Sequence, residues 1–211
     1  MQNIQIRAAT ADDVPLLERR CWREKEEEMY RRIDAQGTCS IIALDGDLPV
    51  AQLYLRLYQH GHRAPGGMMD GSWWADFKGL EDDADTEMDL PDPTLVLGCW
   101  HVGRVLLSDG SEKEAEQYRG RGLGIALLEG AMSWCRSRPE IEALAAKATD
   151  SAERSYIGWV GGLPLSAYEE LGFTRLATFD DPYFLAEPER VPETAIAEHP
   201  ARFHLVRWEN A

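Results

Sequence analysis

The segment Glu116–Trp134, EQYRGRGLGIALLEGAMSW, sets alternate glycines at Gly120, Gly122 and Gly124 directly before an apolar run. Glycine at a helix start costs stability, because the unfolded chain loses most conformational freedom there. That cost is offset if the glycines let a ligand approach the backbone. Without Cβ atoms in the way, their N–H groups join the orphan donors and positive dipole end of the following helix. The result is a cradle for an anion, and Arg119 and Arg121 can add charge-assisted hydrogen bonds to phosphate. A Walker A loop needs GxxxxGK[ST], which is absent. A Rossmann turn needs GxGxxG after a strand, whereas GxGxG here follows the polar EKEAEQY. The plain alternative is a flexible connection to an ordinary core helix.

Periodicity around this segment predicts alternating strands and helices. NIQIRAAT reads as a strand. Residues 10–33 read as a helix opening on Thr10 as N-cap with acidic residues in its first turn. CSIIALDGDLPVAQLYLRLY reads as two strands around a hairpin at Asp45-Gly46. TLVLGCWHVGRVLLS, residues 94–108, is the longest strand candidate, and DGSEKEAEQYR reads as an acidic loop. From Gly122 a helix gathers Leu123, Leu127, Leu128, Ala131, Met132 and Cys135 on one side and stops before Pro139. IEALAAKAT is a buried strand, LPLSAYEELG a short helix ending on Gly172, and FTRLATF and RFHLVRWEN are strands. The order β-α-β-β-β-α-β-α-β-β predicts an α/β (α+β) fold, a mixed sheet with flanking helices. We expect one domain over 1–211, with a Gly-, Pro-, Asp- and Met-rich excursion from the hairpin at 59–93.

Two motifs within this order resemble one family. QYRGRGLGIALL is similar to the acyl-CoA pyrophosphate loop of the GCN5-related N-acetyltransferases (GNAT), [RQ]-x-x-G-x-[GA], with Arg119, Gly122 and Gly124 at the defining positions. AYEELGFTRL resembles that family's Y-x-x-x-G-F, with Tyr168, Gly172 and Phe173 in place. The chain departs from the family where an acidic insertion replaces V-x-P before the loop and where Gly161 stands for a frequent asparagine.

The resemblance implies a mostly antiparallel central sheet, acetyl-CoA as acyl donor, and transfer to a primary amine of a small molecule or peptide by direct attack. It implies a cofactor site made of Arg119, Gly120, Arg121, Gly122, Leu123 and Gly124, with backbone groups of Val105, Leu106 and Leu107 on a splayed strand for the pantetheine arm. Gly103 marks a distortion of that strand. Tyr168 is the candidate acid for the departing thiolate, since a phenol stays protonated at neutral pH. His101 is the candidate base; Glu114, Glu116 and ordered water are rivals. A second reading keeps the cradle without turnover, as an acyl-CoA-binding regulatory module.

Composition narrows the partners. Of 211 residues, 44% are hydrophobic, enough for a real core, and the formal net charge of −15 argues against nucleic acid or an anionic membrane. No apolar run approaches the roughly 20 residues of a membrane span, and the N-terminal residues do not read as a secretory signal. The four cysteines, Cys21, Cys39, Cys99 and Cys135, are scattered, so we expect no metal site and a reducing, cytoplasmic setting. Met68, Met69, Trp73 and Trp74 in the excursion suit a substrate lid, a homodimer contact or a piece of core.

Overall fold

A computed structural model describes residues 4–17, 26–58, 90–91, 93–106, 112–152, 162–180 and 202–210. Residues 59–89 of the excursion, including its methionine and tryptophan pairs, lie outside the described residues, as do Leu107 and Gly161. The chain divides into two compact units. One holds Met1–Leu57, Leu95–Ile141 and Asn210–Ala211; the other holds Tyr58–Thr94 and Glu142–Glu209.

In the first unit β1 (Ile4–Ala8), β2 (Ser40–Asp45), β3 (Leu48–Leu57) and β4 (Thr94–Val102) form an antiparallel succession. The β2–β3 hairpin turns at Asp45-Gly46, as the sequence predicts, with Gly46 at φ 63°. Helix α1 (Glu26–Gln36) is tied to β3 by buried polar side chains. Arg32 donates to the Leu55 carbonyl at 2.8 Å, and Gln36 bridges to the backbone of Thr38, Leu55 and Leu57. Helix α2 (Leu123–Arg136) packs on β1, β2 and β3. Its buried residues are Leu123, Leu127, Leu128, Ala131, Met132 and Cys135, the face its 3.6-residue period predicts. Asn210 closes its C-terminal end, donating to the carbonyls of Cys135 at 2.9 Å and Ile141 at 2.8 Å.

The expected long helix from Thr10 is corrected. A 3₁₀ turn, Ala11–Leu16, stands there instead, and the next described helix begins at Glu26. Pro15 lies inside the turn, where it removes a backbone donor. Asp13 turns back to accept the Thr10 N–H at 2.7 Å and the Thr10 hydroxyl at 2.8 Å. Arg7 of β1 grips the same carboxylate with two bonds, at 2.7 and 2.8 Å. The local acid serves a tertiary contact rather than a continuing helix.

In the second unit β9 (Arg202–Glu209) runs antiparallel between β7 (Ala143–Thr149) and β8 (Thr174–Asp180). Every residue of β7 is buried, which suits a run of alanines covered on both faces. Helix α3 (Leu165–Glu170) packs on these three strands. The architecture is the mixed α/β class that the sequence predicts, with antiparallel pairing throughout both units' strand ladders. No helix among the described residues is long and apolar enough to cross a membrane.

Candidate functional site

The glycine-rich turn enters α2 through left-handed backbone. Gly120 has φ 69° and Gly122, the N-cap, φ 75° and ψ 9°, a region that L side chains enter at a cost of roughly 1–2 kcal/mol. Gly124 already belongs to the helix. A Cβ built on Gly120 or Gly122 would meet no atom within 4 Å, so internal crowding is not what requires glycine here. The first helical bond to reach back to the cap runs from the Ala126 N–H to the Gly122 carbonyl at 3.0 Å. Among the described residues, the backbone N–H groups from Gly120 to Ile125 have no protein acceptor. Residues 120–122 are exposed. Clustered donors at a helix N-terminus, open on one side, form an anion-binding arrangement.

Side chains on either flank hold this turn. The Tyr118 hydroxyl donates to Asp45 at 2.6 Å, which fastens the turn to the tip of the β2–β3 hairpin and raises the phenol's pKa. Arg119 donates through Nε to the Val102 carbonyl at 3.1 Å, and its two terminal nitrogens pair with Glu116 and Glu114. Its backbone N–H is also used, donating to the Glu116 carbonyl at 3.0 Å. Arg121 is exposed and makes no hydrogen bond or ion pair among the described residues. Sequence reasoning missed Tyr118 and Asp45 as a pair. The signal was there in an aspartate at a hairpin tip, but nothing in the order of residues says which distant donor it meets.

The strand expected over 94–108 is corrected: it breaks at Gly103. Strand β4 ends at Val102, and Arg104–Leu106 forms a separate strand, β5, paired with β6 (Glu112–Glu114). Gly103 has φ 74°, donates to the Val50 carbonyl at 2.8 Å and accepts the Ala115 N–H at 2.7 Å. A Cβ there would sit 2.7 Å from the Ala115 oxygen and 3.1 Å from Arg119 Cγ. The supposed acidic loop is therefore partly ordered as a hairpin whose two ends meet. Val105 is buried and pairs with Lys113, and Leu106 pairs with Glu112. Neither stands on the long strand where the resemblance put the pantetheine partners, and Leu107 lies outside the described residues.

His101 is buried on β4, opposite Gln52, with its ring edge-on to Tyr54 at 5.9 Å between centroids. Of its rivals, Glu114 and Glu116 are both engaged by Arg119.

Tyr168 belongs to the second unit and is fully buried. The Y-x-x-x-G-F spacing has a structural cause there. Helix α3 ends with Leu171 as C-cap and Gly172 in left-handed backbone at φ 87°. The Phe173 N–H reaches back to the Tyr168 carbonyl and the Gly172 N–H to the Glu169 carbonyl, both at 3.0 Å. These are the two bonds of a Schellman termination, and the Phe173 ring packs edge-on against Tyr168 as its apolar contact, 5.1 Å between centroids. Termination uses the tyrosine's carbonyl and ring. It does not use the hydroxyl.

No protein-family profile and no curated protein matches this sequence. Solved structures do match its fold. An acetyltransferase of the GNAT family from Streptococcus pneumoniae is 13% identical, with 98% of this chain and 99% of that one covered at a TM-score of 0.50. YncA of Salmonella typhimurium, solved with its cofactor acetyl-CoA, is 10% identical, with 99% and 94% covered at 0.52. GphF, a GNAT-like decarboxylase in complex with isobutyryl-CoA, is 17% identical, with 98% and 100% covered at 0.50. The chain has the fold of the GCN5-related N-acetyltransferases. That fold serves more than one reaction, so the chemistry has to be argued from the site.

Proposed function

We propose that this chain is an acyl-CoA-dependent N-acyltransferase, moving an acetyl group from acetyl-CoA to a primary amine of a small molecule or peptide. The observation that carries this reading is the pair of left-handed glycines, Gly120 and Gly122, at the open end of α2. Their N–H groups suit a pyrophosphate, and the space a Cβ would fill is free for it to approach. Leu123 and Gly124 supply the first helical donors of the same cradle. Arg121 supplies the accessible cation, while Arg119 braces the turn from behind.

Acetyl transfer requires a neutral amine, donors for the tetrahedral oxyanion and a proton for the departing thiolate. Tyr168 is proposed as the acid, because a phenol stays protonated at neutral pH and can donate to a thiolate. His101 is proposed as the base that takes the amine's proton, directly or through water. The net charge of −15 favours a cationic acceptor over an anionic one. Cys39 and Cys135, buried and outside any disulfide, suit a reducing compartment.

The reading is tested by following thiol release from acetyl-CoA against a panel of primary amines, beside calorimetry of CoA binding. Amine-dependent release supports it. Tight CoA binding with no release for any amine points instead to a regulatory module. Loss of carbon dioxide from a malonyl-type thioester without amine would place it with the decarboxylases.

A further inference from the structure

The second unit brings three polar side chains together, two from neighbouring strands and one from the corner after a third. His204 on β9 is 2% exposed. Its cross-strand partners are Ala148 on β7 and Thr178 on β8. Thr178 Oγ1 lies 2.8 Å from His204 Nδ1, and Asp150 Oδ1, just beyond the end of β7, lies 2.8 Å from His204 Nε2. The corner that carries Asp150 is pinned by Thr149, whose hydroxyl donates to the Ser151 carbonyl at 2.6 Å and accepts the Ser151 N–H at 3.2 Å.

The chemistry of the partners sets the direction of the chain. An ionised carboxylate only accepts, so Nε2 carries the imidazole proton and donates to Asp150. Nδ1 is then the bare nitrogen and accepts the Thr178 hydroxyl. This is the order hydroxyl, imidazole, carboxylate that raises the nucleophilicity of an alcohol oxygen wherever it occurs, whatever the fold. Burial divides the parts suitably. The imidazole is shielded, while Thr178 is exposed on β8. An exposed threonine needs no imidazole to satisfy its hydroxyl, since water would do so.

We propose that Thr178 is an acyl-accepting nucleophile, activated by His204 and oriented through Asp150, toward small thioesters or activated esters. Nδ1 takes the hydroxyl proton as Oγ1 attacks the acyl carbon. The carbon–sulfur or carbon–oxygen bond to the leaving group breaks, and the imidazolium returns its proton to the departing thiolate or alkoxide. The products are an ester on Thr178 and the free thiol or alcohol. No oxidant, reductant or metal enters the balance.

The test uses the full chain and p-nitrophenyl acetate, which contains no CoA, so its outcome stands apart from the acetyl-CoA reading. Release of p-nitrophenolate is followed with intact mass and peptide mapping. The expected result is a burst stoichiometric with protein and one acetyl group on Thr178. Thr178→Val, which keeps the β-branched shape, should abolish both, and Thr178→Ser should retain them. Asp150→Asn should slow the burst by about 10²–10⁴, the range for a disabled base. A burst of equal size in Thr178→Val, or acetylation confined to lysines, overturns the proposal. Thr178 and Asp150 both lie at exposed positions, so their variants decide the matter even where a His204 variant does not fold.

Discussion

Phe173 closes back on Tyr168 twice, its N–H on the tyrosine's carbonyl at 3.0 Å and its ring on the tyrosine's edge. The hydroxyl takes no part in either contact. Tyr168→Phe keeps both of these contacts, and single-turnover acetyl transfer should fall by about 10²–10⁴. CoA affinity should change far less. A wild-type single-turnover rate in this variant removes Tyr168 from the mechanism. Gly172→Ala should do the opposite, destabilising the fold by roughly 1–2 kcal/mol for a left-handed alanine, as measured by urea unfolding.

The glycines of the first unit separate space from strain. Gly120 and Gly103 both sit at positive φ, but only Gly103 faces a backbone oxygen 2.7 Å from where a Cβ would lie. Gly120→Ala should lose roughly 1–2 kcal/mol of stability, and Gly103→Ala clearly more. Gly122→Val should lose stability, because a β-branched residue is strained at φ 75° even where nothing crowds its Cβ, and should lose most of its CoA affinity in calorimetry. Unchanged affinity in a folded Gly122→Val protein would refute the cradle.

The two arginines should behave differently. Arg119 is committed to Glu114, Glu116 and the Val102 carbonyl, whereas Arg121 stands exposed. Arg121→Ala should cost one charge-assisted bond to phosphate, about 1.5–3 kcal/mol or roughly 10- to 150-fold in CoA affinity. It should also flatten the salt dependence of binding. Arg119→Ala should lower the melting temperature and affect CoA only through the turn it braces. A larger direct affinity loss at Arg119, with stability unchanged, would reverse the assignment.

Acid should weaken the first unit at Asp13. Burial pushes this carboxyl's pKa up, but the hydrogen bonds from Arg7 and Thr10 outweigh burial and hold it below the usual range. A group whose folded pKa is depressed contributes stability in full above its unfolded pKa, near 4, and loses it as pH falls through the folded value. The stability gap between wild type and Asp13→Asn should be largest near neutrality and narrow below about pH 4. A gap independent of pH in urea titrations would mean that the ion pair is not what Asp13 contributes.

The helix face of α2 was legible in the sequence because burial there follows a local period, and Leu123 through Cys135 repeat it cleanly. The hairpin at Asp45-Gly46 was legible because its turn is encoded by adjacent residues. Gly103 was legible as a distortion, but its consequence was not. EKE carries no apolar alternation, so nothing local announces that Glu112–Glu114 pairs with Arg104–Leu106. The glycine spacing of the turn was legible; the fate of Arg119 was not, because its partners are charges that would serve equally well in solvent. Asp150, His204 and Thr178 lie 28 and 26 residues apart in the chain, counted from Asp150 to Thr178 and from Thr178 to His204, and only strand register joins them.

The hydrogen bond between Gly103 and Ala115 has a consequence for how this chain tolerates change. The backbone leaves at one residue and returns at the other, so residues 104–114 form a closed detour from the path between β4 and the turn. Lengthening such a detour carries a small entropic cost, about 0.6 kcal/mol for each doubling of a flexible loop. An insertion between the paired strands β5 and β6 leaves the Gly103–Ala115 bond as the anchor of both ends. Shortening the detour past Glu114 would remove one of the two carboxylates that hold Arg119 and leave Glu116 and the Val102 carbonyl. The hairpin is thus a natural graft point, where a foreign segment such as a tag or a reporter peptide would enter and leave beside the carboxylates that hold Arg119.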